Sequence, residues 1–229
     1  MKYVICPLYV MFVVTFFCRG NNDEENTKVL QYNDKTQLVR RIIGGPSLLF
    51  LSHSVFFRND YPICVRSHLI EHSAAGYHHI LAYFDRKRKK QEIKGPIVTR
   101  DTYMHVYERE RDKMPLFVVN AYYTGTNITD SKISAYYNIL FAKPMCFVVA
   151  TQQVTVTSTG NRIDRRQART SACLLWRTAF APEKYRPPCR EAFKRHCARY
   201  HGYKFTYTRS ICGPFNYTMP SLPVTAKVK

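Results

Sequence analysis

The sequence predicts a mainly β protein, an eight-stranded antiparallel barrel with a short N-terminal helix and a disulfide-stapled C-terminal helix. Three observations lead there. Eight segments rich in Val, Ile, Tyr, Phe and Thr follow one another, most of them separated by turn signals. A proline-led helical stretch carrying two cysteines comes after the last of them. Six cysteines remain once an N-terminal leader is set aside, an even number that suits covalent bridging in a secreted chain.

The first element, Asn33–Ile43, reads as a helix with Leu38, Val39 and Ile42 on one side. Asn33 or Asp34 would cap it, and Gly44-Gly45-Pro46 stops it. The period then changes from helical to alternating. Strands are predicted at Leu48–Phe57, Ile63–Glu71, Tyr77–Asp85, Ile97–Tyr107, Leu116–Tyr123, Lys132–Ala142, Cys146–Val156 and Cys173–Ala179. Asn59-Asp60-Tyr61-Pro62, Gly76, Gly95-Pro96, Gly125-Thr126-Asn127, Lys143-Pro144 and Gly160-Asn161 punctuate them. Within Lys132–Ala142 one side is apolar, carrying Ile133, Ala135, Tyr137, Ile139 and Phe141. Strands of this number and length in meander order suit an up-and-down barrel, with a β-sandwich as the alternative. Finally, Pro187 and Pro188 open a helix on which Cys189, Phe193, Cys197 and Tyr200 share a face. Arg190, Lys194, Arg195 and Arg199 take the rest.

The N-terminus supplies the compartment. Lys2, the apolar run Tyr3–Phe17 and Gly20 at its exit read as a secretory signal peptide over residues 1–20, too short for a membrane anchor. Its removal takes Cys6 and Cys18 and leaves Cys64, Cys146, Cys173, Cys189, Cys197 and Cys212. No C-x-x-C pair is present among these six, so zinc and thioredoxin-like chemistry are set aside in favour of disulfides. The formal charge of +19 becomes +17 when Lys2 and Arg19 leave. A secreted chain this basic is drawn to anionic partners such as glycosaminoglycans or phospholipid surfaces, and secretion argues against nucleic acid. The expected organisation is a signal peptide at 1–20, a barrel domain at 21–212 and a flexible basic tail at 213–229, in a monomer.

The order of elements resembles the tick salivary lipocalins of the histamine-binding family. The residues that carry the resemblance are Phe57-Arg58-Asn59-Asp60 with Cys64-Val65, Cys146-Phe147-Val148-Val149 and Leu174-Leu175-Trp176. Pro187-Pro188-Cys189, Phe193, Cys197, Tyr207 and Cys212 complete them. The resemblance implies a secreted, non-enzymatic barrel without cofactor or metal that sequesters a small host mediator to evade host defence. It implies disulfides Cys64–Cys212 and Cys146–Cys189, which leaves Cys173 to pair with Cys197. In such proteins, carboxylates and aromatic rings surround a biogenic amine such as histamine. The two signature carboxylates fall here on Phe147 and Leu174, so Asp60 is the remaining acidic candidate. The missing carboxylates and the positive charge turn the expectation toward an anionic lipid such as a leukotriene. The candidate ligand residues are Phe57, Asp60, Tyr123, Tyr137, Trp176, Arg100 and His105, with His79 and Arg177 as further cationic positions.

Other patterns remain. His68-Leu69-Ile70-Glu71-His72 matches the inverted zinc-protease motif but lies in a predicted strand, where exposed histidines are the plainer reading. Arg86–Lys90 and the loop with Arg162, Arg165, Arg166 and Arg169 are solvated basic loops or a polyanion footprint. The rival reading is therefore a surface-binding module for glycosaminoglycan, platelet or complement components. Asn127-Ile128-Thr129 and Asn216-Tyr217-Thr218 are glycosylation sequons.

Overall fold

The computed structural model describes residues 34–74, 76–86, 95–109, 114–151 and 171–214. A helix, α1 (residues 34–43), is followed by eight strands. These are β1 (Leu49–Phe56), β2 (Ile63–Ser73), β3 (Gly76–Phe84), β4 (Ile97–Glu108), β5 (Pro115–Tyr123), β6 (Ala135–Lys143), β7 (Cys146–Ala150) and β8 (Ala172–Thr178). A 3-10 turn at Glu183–Tyr185 leads into α2 (Arg186–Cys197), then β9 (Tyr203–Thr206) and a last turn, α3 (Arg209–Cys212).

Every neighbour pair from β2 to β8 is antiparallel, and β8 pairs with β1. The barrel closes where Leu49 and Phe50 of β1 meet Ser67 and Arg66 of β2. Further along, β2 leaves β1, and β9 takes the exposed edge through His53↔Thr206 to Phe56↔Tyr203. Gly202 permits that approach: its φ is +141°, and a Cβ there would lie 2.2 Å from the Phe56 carbonyl oxygen.

The alternation of each strand places one row of side chains inside. Leu49, Leu51, Val65, Leu81, Met104, Phe117, Val119, Ile139, Phe147, Val149, Leu174 and Trp176 form the interior cluster. Helix α1 closes one end with Val39, Ile42 and Ile43, and the Arg40 guanidinium donates to the Val106 carbonyl at 3.0 Å. Gly44 N–H donates to Arg40 and ends the helix, as the glycine pair predicts. We call this the helix end, and the opposite one, with the β1–β2 and β5–β6 connections, the loop end.

A second cluster lies outside the barrel, where Ala192, Cys189 and Cys197 of α2 meet Val148, Ala150 and Leu175. Two disulfides cross it, Cys146–Cys189 and Cys173–Cys197. The third, Cys64–Cys212, spans 148 residues and fixes α3 beside β2. Closing a loop that long is worth about 4–5 kcal/mol on the chain-entropy model.

Two expectations change. The β6 segment begins at Ala135 rather than Lys132, because Asp130 turns the chain by accepting the N–H groups of Lys132 and Ser134. A bulge between Ile139 and Phe141 reverses the phase, so Ala142 faces inward and Phe141 joins the outer cluster. A further bulge between Leu69 and Glu71 puts His68 and His72 on opposite faces of β2, and both are exposed, as the plainer reading of that stretch expects. The signal peptide, the stretches 87–90 and 162–169, most of the tail, Asn216 and the β7 extension to Val156 lie outside the described residues.

Candidate functional site

The deeper half of the interior is built from rings, and the register explains their meeting. Trp176 lies between Phe147 of β7 and Leu51 of β1, while Phe117 of β5 opposes Tyr137 of β6. The Phe147 and Trp176 rings stack at 6.4 Å. Phe117 presents its edge to both, at 5.3 and 6.4 Å, and stands 6.2 Å from Tyr137. Phe147 and Leu174, the positions where the resemblance would set carboxylates, are both fully buried and apolar. Trp176 is also fully buried, and its indole N–H finds no acceptor among the described residues. The Tyr137 hydroxyl donates to the Ile133 carbonyl at 3.3 Å, and burial holds its pKa well above the usual phenol range.

The loop end is held by charge. Asp130, only 1% exposed, receives the Arg100 Nε–H at 2.6 Å, the Tyr83 hydroxyl, and the Lys132 backbone N–H at 2.9 Å. Burial alone would raise the Asp130 pKa, but these donors outweigh it and leave the carboxyl below the ordinary range. Burial first, and Asp130 second, push the Tyr83 phenol far upward. Asp60 is gripped by both donors of the Arg58 fork, at 2.6 and 2.9 Å, while Arg58 also donates to the Ser131 carbonyl. Lys132 pairs with Asp85, and the Arg86 guanidinium lies 4.8 Å over the Tyr61 ring. Among the described residues, the three carboxylates at this end are each paired with a cationic side chain.

The sequence-predicted residues therefore separate. Trp176 and Tyr137 are interior and deep. Arg100 and Asp60 are buried at the loop end, each locked in an ion pair. Tyr123 is 41% exposed beneath the Arg100 guanidinium, which lies 4.2 Å over its ring, and Phe57 is exposed beyond β1. His105 shares the outer face of β4 with Tyr107, whose ring is 5.6 Å away, and lies outside the barrel. His79 points inward near the helix end, with its Nδ1 3.0 Å from the Ser67 hydroxyl. Burial first lowers its pKa from 6.5 to about 4, so the ring is neutral. Arg177 faces outward beneath α2.

Sequence reasoning missed Asp130 and Tyr83. Asp130 ends a turn-rich stretch, where aspartate ordinarily shapes a turn in water. Only the position of Arg100, thirty residues earlier, could have marked it. A crevice of about 10 Å³ beside Arg58, Lys132 and Tyr137 has room for no more than a water. A larger groove of about 240 Å³ runs past Arg66, Ala82, Phe84, Ile97 and Ile211. It follows the outer row of β2 and β3, away from the rings and from the candidate ligand residues.

Fold and site together define an eight-stranded antiparallel barrel with an aromatic interior, one helix-capped end and a helix stapled to its outside. No family model and no curated protein matches the chain. Among solved structures it is similar to Japanin from Rhipicephalus appendiculatus bound to cholesterol. That likeness has 15% identity and a TM-score of 0.38, over 71% of this chain and 92% of that one. It is also similar to apocrustacyanin C2, with 12% identity and a TM-score of 0.40, over 71% of this chain and 78% of that one. The barrel assignment rests on the strand register given above.

Proposed function

We propose that the chain is a secreted, non-enzymatic carrier of the lipocalin type, whose barrel takes a small apolar ligand bearing an acceptor oxygen. The observation that carries this reading is the Trp176 indole N–H, fully buried and without an acceptor among the described residues. A buried donor left unpaired costs about 1–3 kcal/mol, which a ligand carboxylate, carbonyl or hydroxyl oxygen would recover. A biogenic amine brings donors instead and needs a carboxylate to receive its charge. Asp60, Asp130 and Asp85 already hold Arg58, Arg100 and Lys132, and drawing one away would strand a guanidinium or ammonium. A fatty acid or leukotriene fits better than histamine.

Secretion is supported by three disulfides, which persist in oxidising compartments. Sequestering a host mediator to evade host defence is the role the family resemblance suggests. Asn127 lies in an exposed turn, where a glycan would find room. Native mass spectrometry of protein recovered from the medium of secreting cells tests the carrier reading. A co-purified lipid or other oxygen-bearing apolar molecule is expected. Protein that emerges ligand-free and binds no fatty acid on addition would refute it.

A surface-binding role is favoured by a separate observation: Arg190, Lys194 and Arg195 are exposed along the back of α2, and Arg199 is exposed just beyond its end. Elution from heparin well above physiological salt supports that role, and elution near 0.15 M returns these residues to ordinary solvation.

A further inference from the structure

On the outer face of the barrel, Arg177 of β8 has Phe50 of β1 on one side and Cys146 of β7 on the other. Cys146 is bonded to Cys189, so the disulfide brings the first turn of α2 onto Arg177. That turn begins with Arg186 and places Arg190 one turn later on the same side. Three guanidinium groups thus converge at one seam, joined by His53 of β1.

Their partners are few. Arg177 is 6% exposed, yet among the described residues it has no hydrogen bond and no ion pair; the Phe50 ring face lies 5.8 Å from its guanidinium carbon. The Arg186 Nε is buried without a partner among the described residues, and its other end pairs with the largely exposed Glu183. The neighbouring groups respond to the uncompensated field. Burial first, then Arg186 and Arg190, lower Arg177 from 12.5 to about 10, with Glu183 a partial offset. Burial, then Arg190 and Arg177, lower His53 from 6.5 to about 4. The twelve-residue helix adds its positive end, with no acidic residue in its first turn and no side-chain cap.

A chain rarely buries a cation without an anion, because the charge is costly to strip of water. We infer that the seam between β8 and the first turn of α2 is an oxyanion site, which takes a phosphate or sulfate group on Arg177, Arg186 and Arg190. The planar forks of arginine match the oxygens of such groups, and a helix N-terminus favours the same charge. The group could arrive as a free ion or as a sulfate ester on a polysaccharide. The site is independent of the barrel's ligand, since Trp176 faces the other side of β8.

Thermal unfolding and calorimetry of the full secreted chain test it, with sodium sulfate, sodium phosphate and a heparin-derived hexasaccharide as probes against chloride at matched ionic strength. Saturable binding is expected, with a rise in melting temperature beyond that in chloride. Arg177→Met should abolish that extra rise while melting no lower than the native chain in low-salt buffer, because an unpaired buried charge has gone. Arg190→Ala, an exposed substitution that leaves the fold alone, should weaken binding roughly tenfold. Tighter, Arg177-dependent binding of the hexasaccharide assigns the source to a sulfated glycan; binding of the inorganic ions alone assigns it to a small free oxyanion. The inference is overturned if Arg177→Met keeps the sulfate response. It is equally overturned if that variant melts lower in low salt, since Arg177 would then be a structural residue.

Discussion

The loop end of the barrel and the seam under α2 handle the same chemistry in opposite ways. At the loop end each carboxylate meets a guanidinium or ammonium: Asp130 with Arg100, Asp60 with Arg58, Asp85 with Lys132. At the seam a side chain as buried as Arg100 meets two more arginines and one exposed glutamate. Charge that is paired inside the chain holds the chain together. Charge left unpaired at equal burial costs stability, and it is the better guide to where something else binds. By the same logic a neutral donor unpaired among the described residues, the Trp176 N–H, marks the interior.

The largest expected effect tests the paired half of the contrast. Asp130→Asn leaves Arg100 buried without its counter-charge and weakens the contact to Tyr83. Urea unfolding should show a loss of about 3–5 kcal/mol, the usual consequence of breaking a buried pair from one side. A loss below 1 kcal/mol would mean that water reaches Arg100 and that the two regions are not different in kind.

Acid should produce the next largest change. His79 in the interior and His53 at the seam both have folded pKa values near 4, below the ordinary 6.5. Between those values the unfolded chain binds more protons than the folded one, so this contribution is complete above about pH 6.5 and falls away toward pH 4. For His79, nearly fully buried, the loss is on the order of 3 kcal/mol by pH 4. Unfolding at pH 7 and pH 4 should show a smaller acid loss in His79→Gln than in the native chain. An equal loss in both would place the acid sensitivity elsewhere. Sulfate should also protect the protein from acid less once Arg177 is replaced, which links this measurement to the seam.

Smallest is Asp60→Asn. The Asp60 and Arg58 side chains are 9% and 17% exposed, so partial solvation should limit the loss to about 1–2 kcal/mol. Histamine binding should not change, because Asp60 already belongs to Arg58. A tenfold fall in histamine affinity would show that the amine displaces Arg58.

The barrel was legible in the sequence because strand alternation is a local property. All eight strand cores appear where the pattern puts them, and α2 presents Cys189 and Cys197 to the barrel as the four-residue spacing requires. Features set by pairing were not legible. The strand β9 is four residues long and forms only because β2 has left the edge of β1. The bulges in β2 and β6 shift faces by one residue, which in β6 reverses the reading of Phe141. The site divides in the same way. Trp176 and Tyr137 follow from apolar alternation, whereas Asp130 gains its meaning from Arg100 across the sheet, and Arg177 from the disulfide that ties the neighbouring strand to α2.

For an interior proposed to receive an acceptor oxygen and reject an ammonium, Trp176, the only tryptophan in the chain, is a direct reporter. Its fluorescence should be titrated with a leukotriene, a fatty acid and histamine, in the native chain and in Asp60→Asn. A saturable change with a lipid is expected, with histamine binding weaker than about 1 μM, equivalent to about −8 kcal/mol. Nanomolar histamine affinity that Asp60→Asn abolishes, with no response to either lipid, would instead make the barrel an amine site.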